Sequence, residues 1–430
     1  EYMRGVYVLL LISLLGYTGR VSGQESVTIT QCYEWARANY PQIHQMGLID
    51  QTERYSLSNV GKAWLPQLSV SGKASYQSDV TKLPLDGDKI SSLLPGFEIP
   101  SLSKDQYQVV AQVDQTIWDG GSTRSARALT RAEAIANREQ LESELYALND
   151  RVNQIYFGCL LQDELIRQNA LLQKELQVNI ERIEAMMENG VANQSDLESM
   201  EVELLNARQN EIELKASRTV YRQMLATFIN KPLTDQVVLK TPESPERSLS
   251  TQINRPELRA LDAKSEWIET QNKQVTAGLM PRIGAFVQGG YGRPGLNMLE
   301  DSFEPYYVAG VRLSWNLGKL YTLKNDRRKI EVGRRQIDVQ RETFLFNTRL
   351  QLLRQNTEIK KMTDLMRADD DIIRLRTSIK QAAEVKLENG VISVTDLIRE
   401  INAEDMARQT AAAHRVQRLM TIYNYMYTTN

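Results

Sequence analysis

The sequence predicts a mostly α-helical chain of two related repeats, each carrying a β-hairpin of membrane-crossing length on long helical hairpins. Three observations predict it. The twelve prolines all lie between Pro41 and Pro100 or between Pro232 and Pro305, leaving 101–231 and 306–430 with none. Proline interrupts helices and sheet ladders, so each repeat is an irregular region followed by a long uninterrupted one. Glu188-Asn189-Gly190-Val191, Ser195-Asp196-Leu197 and Ala207-Arg208-Gln209 recur at an offset of 200 as Glu388-Asn389-Gly390-Val391, Thr395-Asp396-Leu397 and Ala407-Arg408-Gln409, which marks an internal duplication. Finally, four segments of about ten residues alternate with period two between the helical tracts, as strands with one apolar face do.

Taken in order, Arg4, the apolar run Val6 to Leu15 and the small residues Val21-Ser22-Gly23 read as a secretory signal, 1–23. That run is too short for a spanning helix, which needs roughly 20 residues. No later stretch is long and apolar enough either, so the exported chain is soluble or a β-barrel. The first repeat, 24–231, holds a helix, a β-hairpin at 65–119 and a helical hairpin at 121–231. After a linker at 232–253, the second repeat, 254–430, holds a helix, a β-hairpin at 281–317 and a helical hairpin at 319–427. Asn39-Tyr40-Pro41-Gln42-Ile43 and Asn254-Arg255-Pro256-Glu257-Leu258 correspond, as do Ala63-Trp64-Leu65-Pro66 and Gly278-Leu279-Met280-Pro281.

In the first strand Leu68, Val70, Ala74 and Tyr76 share a face; in the second Tyr107, Val109, Ala111, Val113 and Ile117 do. The third places Ile283, Ala285, Val287 and Tyr291 together, and the fourth Tyr307, Ala309, Val311, Leu313 and Trp315. A soluble sandwich would alternate in the same way, but two hairpins are too few to build one, and both carry aromatics near their ends. Membrane strands are therefore expected, with 78–104 and 292–304 as cell-exterior loops. Four strands cannot close a barrel, and an open edge in lipid leaves backbone groups unsatisfied at several kcal/mol each. Insertion requires association of several copies.

The first helical tract runs from Gly121 to Glu188, roughly 100 Å at 1.5 Å per residue. Leu161, Leu165, Leu172, Leu176, Ile180, Ile183 and Met187 form its apolar stripe. Asn189-Gly190 tolerates positive φ and ends the helix, after which Asn193 or Ser195 caps the next; Gly390 with Ser393 or Thr395 repeats the device.

Several functions are excluded by content. A net charge of −2 and no basic run leave no footprint for nucleic acid. His44 and His414 are the only histidines, so no metal site, cofactor site or catalytic centre is expected. Gly290-Tyr291-Gly292-Arg293-Pro294-Gly295 matches a dinucleotide fingerprint but lacks the helix that would present its N-terminus to a pyrophosphate. Cys32 and Cys159 read as buried free thiols, with a disulfide between them as the alternative.

The duplicated Asn-x-Pro-Gln/Glu-Ile/Leu helix start, the Leu-Pro or Met-Pro lead into each hairpin and the Gly-Val…Ser/Thr-Asp-Leu turn together resemble the TolC-like outer-membrane efflux proteins, over nearly all of 24–430. The resemblance implies a homotrimer in the bacterial outer membrane: a twelve-stranded barrel continuing into a periplasmic tunnel of twelve helices, a passive duct for efflux or type I secretion. It implies as partners outer-membrane lipid, a periplasmic adaptor and an inner-membrane pump, with adaptor docking at Asn189, Gly190, Val191, Asn389, Gly390 and Val391. It also implies a tunnel gate of acidic residues on the second helical hairpin, where Asp396 matches the first position while the second is Arg399. A basic residue that the family places four positions before that aspartate is Ile392 here. The rival reading is a periplasmic coiled-coil structural or adaptor protein without a barrel.

Overall fold

A computed structural model describes residues 26–81, 102–244, 250–298 and 300–430. The expected signal segment and most of the first exterior loop, 82–101, lie outside the described residues. The described residues divide into two compact units: those within 1–44, 141–256 and 342–430 form one, and those within 45–140 and 257–341 form the other. Neither coincides with a sequence repeat, because each unit draws on both.

In the first unit, β1 (Ser26–Val27) leads into α1 (Ile29–Asn39). Thr28 and Gln31 form a reciprocal capping box there, Gln31 N–H donating to Thr28 Oγ1 and Thr28 N–H to Gln31 Oε1. The helix stops where Tyr40 turns extended, ψ 126°, as the residue before Pro41 must. β1 pairs in parallel with β4 (Val238–Leu239), so the expected linker contains a structural strand. The Tyr156 hydroxyl, fully buried, is shared between the carbonyls of Val27 and Lys240 at 2.9 and 2.7 Å. Around it, Ile29, Cys32, Val152, Phe157, Cys159 and Leu225 make one core. Both cysteines are buried and free.

Helices α3 (Ser122–Tyr146), α4 (Leu148–Glu188), α5 (Gln194–Ile229), α7 (Lys319–Glu388) and α8 (Val394–Thr429) supply the long rods. α7 is unbroken over 70 residues, roughly 105 Å. The corresponding tract of the first repeat is interrupted at Ala147, ψ −17°, although its sequence has neither Pro nor Gly there. The break adjoins a tertiary clamp: Tyr146 stacks on Tyr427 at 4.9 Å, donates to the Tyr427 carbonyl at 2.9 Å, and lies under the Arg255 guanidinium.

The second unit contains a four-stranded antiparallel sheet in the order β2 (Gln67–Tyr76), β3 (Asp105–Trp118), β5 (Arg282–Arg293), β6 (Glu304–Ser314), with α2 (Gln45–Gly61) and α6 (Pro256–Ala277). Register places Leu68, Val113, Val287 and Ala309 in one row, and Val70, Ala111, Gly289 and Tyr307 in the next. This face is bare: Leu68 is 71% exposed, Val70 69% and Val311 69%, a continuous apolar surface of the kind that marks a contact with lipid or another chain. Trp64, Trp118 and Trp315 stand at one end of the sheet, Tyr76, Tyr107, Tyr291 and Tyr307 toward the other. A bulge between Thr116 and Trp118 sets Trp118 opposite Ile283, so that Trp118 joins the face that alternation gives to Ile117. The opposite face carries Gln112, Gln288, Asp114 and Arg312, but also Phe286, packed under Arg312 at 4.8 Å. Among the described residues β2 and β6 each pair on one side only. No helix there is long and apolar enough to cross a membrane.

Candidate functional site at the helical turns

The two α–α turns adopt one geometry. In each, the glycine takes positive φ, 73° at Gly190 and 69° at Gly390, which an L side chain reaches only with strain. Gly190 N–H donates to Met187 O at 2.9 Å and Val191 N–H to Met186 O at 2.9 Å; Gly390 donates to Leu387 O at 2.9 Å and Val391 to Lys386 O at 2.8 Å. These are the paired bonds of a Schellman terminus. Asn189 and Asn389 each turn the side-chain amide back onto the fourth preceding carbonyl, Ala185 and Val385, at 2.7 Å. Val191 and Val391 project outward, 58% and 68% exposed. A blunt tip with an apolar knob is thus made twice.

The following helices begin on Asn193 and Ser393, not on Ser195 or Thr395. Asp196 and Asp396 complete capping boxes: Asp196 Oδ2 accepts from Asn193 N–H at 3.1 Å, and Asp396 Oδ2 from Ser393 N–H at 3.1 Å and Ser393 Oγ at 2.7 Å. The Ser393 hydroxyl and backbone hold the Asp396 carboxyl below its ordinary range, with Arg399 adding to this. Arg399 Nη2 stands 3.3 Å from Asp396 Oδ1. Capping therefore occupies both aspartates, and of the two only Asp396 has a cation beside it among the described residues.

Below the tips, Leu176, Ile183, Met200, Leu204, Leu387, Leu397 and Ile401 form a single core from α4, α5, α7 and α8. Ile392 packs against that core, as does Ala192 in the first turn. Deeper, Lys380 on α7 bonds Glu404 on α8 at 2.6 Å and also pairs with Glu175 on α4, while Glu404 accepts from Thr377 and Arg408. Burial works to raise the Glu404 carboxyl, yet the hydrogen bonds from Lys380, Thr377 and Arg408 hold it low. Asp405 goes the other way, pushed up to about 6 by burial and then by Glu175 and Glu404. Sequence reasoning passed over this cluster; the available signal was Glu404 and Arg408 continuing the Leu397, Ile401 stripe at helical spacing. Among the described residues no group of His, Cys, Asp or Glu could hold a metal ion.

Residues 32–231, from the buried Cys32 through the first turn to the end of α5, match a family model described as outer membrane efflux protein. The resemblance read from the sequence holds. No curated protein matches the chain in sequence. Among solved structures, the outer membrane protein VceC from Vibrio cholerae is similar over 93% of this chain and 95% of its own, at 12% identity and a TM-score of 0.62. The CmeC outer membrane channel of Campylobacter jejuni is similar over 93% and 85%, at 11% identity and 0.64. The open-state MtrE outer membrane channel of Neisseria gonorrhoeae is similar over 93% and 88%, at 14% identity and 0.64. The fold is the one these outer membrane proteins share.

Proposed function

We propose that the chain is one subunit of a passive exit duct in the bacterial outer membrane, three copies closing a twelve-stranded barrel that continues into a twelve-helix periplasmic tunnel. The observation that carries this is the open four-stranded sheet, apolar and bare on one face, with β2 and β6 each unpaired on one side. Joining β6 of one copy to β2 of the next satisfies both edges, and three such joints close the ring with every strand paired. The loops at 78–104 and 292–304 face the cell exterior, and the helical tunnel hangs on the periplasmic side. An adaptor and an inner-membrane pump complete the pathway for efflux or type I secretion, with Gly190-Val191, Gly390-Val391 and the flanking Asn189 and Asn389 as the docking tips.

Membrane-extracted protein should run as a trimer that collapses to monomer only on boiling. A chain that stays monomeric, and leaves the membrane in a salt wash, would favour the coiled-coil rival. At the gate, Asp396 and Arg399 of three copies surround the axis, the carboxylates favouring cations and the guanidiniums partly offsetting them. In planar bilayers Asp396→Asn should lower cation preference, Arg399→Ala should raise it, and Asp196→Asn should change neither; the reverse pattern for the two aspartates would place the first helical hairpin on the axis instead.

A further inference from the structure

Next to the strand ends marked by tryptophan, α3 and α6 border a cavity of about 1100 Å³. Arg124, Arg127 and Arg131 line it from α3 and Lys273 from α6, while Trp64 and Trp118 wall its strand end. Nearby cations are spoken for: Arg138 pairs with Asp50, Arg259 with Glu139 and Arg334 with Glu269. Among the described residues the four cavity cations have no such partner. The single carboxylate in the wall, Asp119, is committed to the start of α3, accepting from Gly121 N–H at 2.9 Å and Thr123 N–H at 2.6 Å. The cavity therefore carries an uncompensated positive charge beside an aromatic wall.

Its position names the occupant. Arg124, Arg127 and Arg131 lie on one helix face over roughly 10 Å, at 1.5 Å per residue. The polar layer on each side of a bilayer is roughly 5–8 Å deep, and tryptophan gathers where hydrocarbon gives way to it. Trp118 stands opposite Ile283 on the bare apolar face, so acyl chains laid on that face bring a headgroup to the arginines.

We propose that this cavity binds the phosphate headgroup of an anionic phospholipid, whose acyl chains leave past Trp64 and Trp118 along the apolar face of the sheet. The site rests on the membrane reading above. Basic side chains at the bilayer surface attract anionic lipid in this way, and arginine adds planar hydrogen bonding to phosphate.

The test uses the full chain in nanodiscs of phosphatidylcholine with a minor share of phosphatidylglycerol, lipid retention being read by native mass spectrometry. Wild type should retain phosphatidylglycerol about ten-fold over its share in the disc, and Arg124→Gln/Arg127→Gln/Arg131→Gln should bring that ratio to about one. Orthophosphate at millimolar concentration should not displace the lipid. A triple variant with undiminished preference, or complete displacement by orthophosphate, would overturn the lipid site. The heat-sensitive trimer band reports whether the variant is folded; if it is not, Lys273→Gln alone decides, with an expected two- to three-fold loss of preference, and no loss rejecting the site. Wild type that enters the disc without lipid preference rejects this site only, whereas wild type that never enters rejects the membrane reading as well.

Discussion

Replacing Lys380 by alanine should destabilise the helical unit by about 3 kcal/mol at pH 7. The side chain of Glu404 is 3% exposed and that of Lys380 12%, and removing one partner of a buried ion pair costs about 3–5 kcal/mol because the other charge is left uncompensated. Arg408 stays on Glu404 at 2.5 Å, which sets the expectation at the low end. Without the ammonium, burial is free to raise the Glu404 carboxyl, so the loss should shrink as pH falls from 7 toward 5 and the proton relieves the charge. The wild type behaves oppositely: Glu404 is held low, so its contribution is present above the ordinary carboxylate value near 4 and fades as pH drops through the depressed one. Lys380→Met combined with Glu404→Leu removes both charges, and should lie within about 1.5 kcal/mol of wild type. Thermal unfolding in detergent, followed by circular dichroism at 222 nm, should show Lys380→Ala melting about 5 °C or more below wild type, with most of that recovered in the double variant. A single variant melting within about 1 °C of wild type, or a double variant below both singles, would refute the argument.

Gly390→Ala tests the turn alone, since an added Cβ at Gly390 meets nothing within 4 Å; the left-handed backbone should cost about 1–2 kcal/mol, and Gly390→Asn should cost less. Equal melting of all three proteins would contradict the strain argument. Asp405, raised to about 6, binds its proton more tightly folded than unfolded, so stability should decline as pH rises from about 4 to 6. Asp405→Asn should then stabilise by about 1 kcal/mol at pH 7, discounted for partial exposure, and change little at pH 4.5; absence of any gain at neutral pH would count against it. Cys32 and Cys159, both pushed up to about 12 chiefly by burial, should resist iodoacetamide at pH 8 until the protein is unfolded, whereas rapid labelling in intact mass spectra would show the core to be open.

The strands were legible because a sheet with one apolar and one polar face writes Leu68, Val70 and Tyr76 against Ser69, Ser71 and Ser75 in plain alternation. The turns were legible because Gly190 and Gly390 occupy backbone conformations other residues avoid. Their caps were only half legible: Ser195 and Thr395 suit a helix start as well as Asn193 and Ser393 do, and the choice fell to the reciprocal bond from the aspartate three residues on. What stayed hidden depends on distant partners. Nothing local announces that Val27 and Leu239 form a strand pair, or that Tyr146 will be clamped by Tyr427 and Arg255 beside the helix break. Phe286 contradicts the polar character of its face, and its shelter comes from Gly310 and Arg312 on the neighbouring strand. Charges such as Lys380 and Glu404 read as wetted surface until their partners from other helices are known.

The two unpaired sheet edges carry a genetic consequence. In the proposed ring β6 of each subunit would join β2 of its neighbour, so every joint would be made of unlike halves and no subunit would be redundant. In that arrangement a variant whose β6 cannot pair still offers a sound β2, and would be recruited into mixed rings with a failed seam. With equal expression of sound and faulty chains, only about one ring in eight would be built wholly of sound ones under random assembly of three. Lesions along Glu304–Ser314 or Gln67–Tyr76 should therefore behave as dominant alleles, while losses of expression from the same gene copy should be recessive.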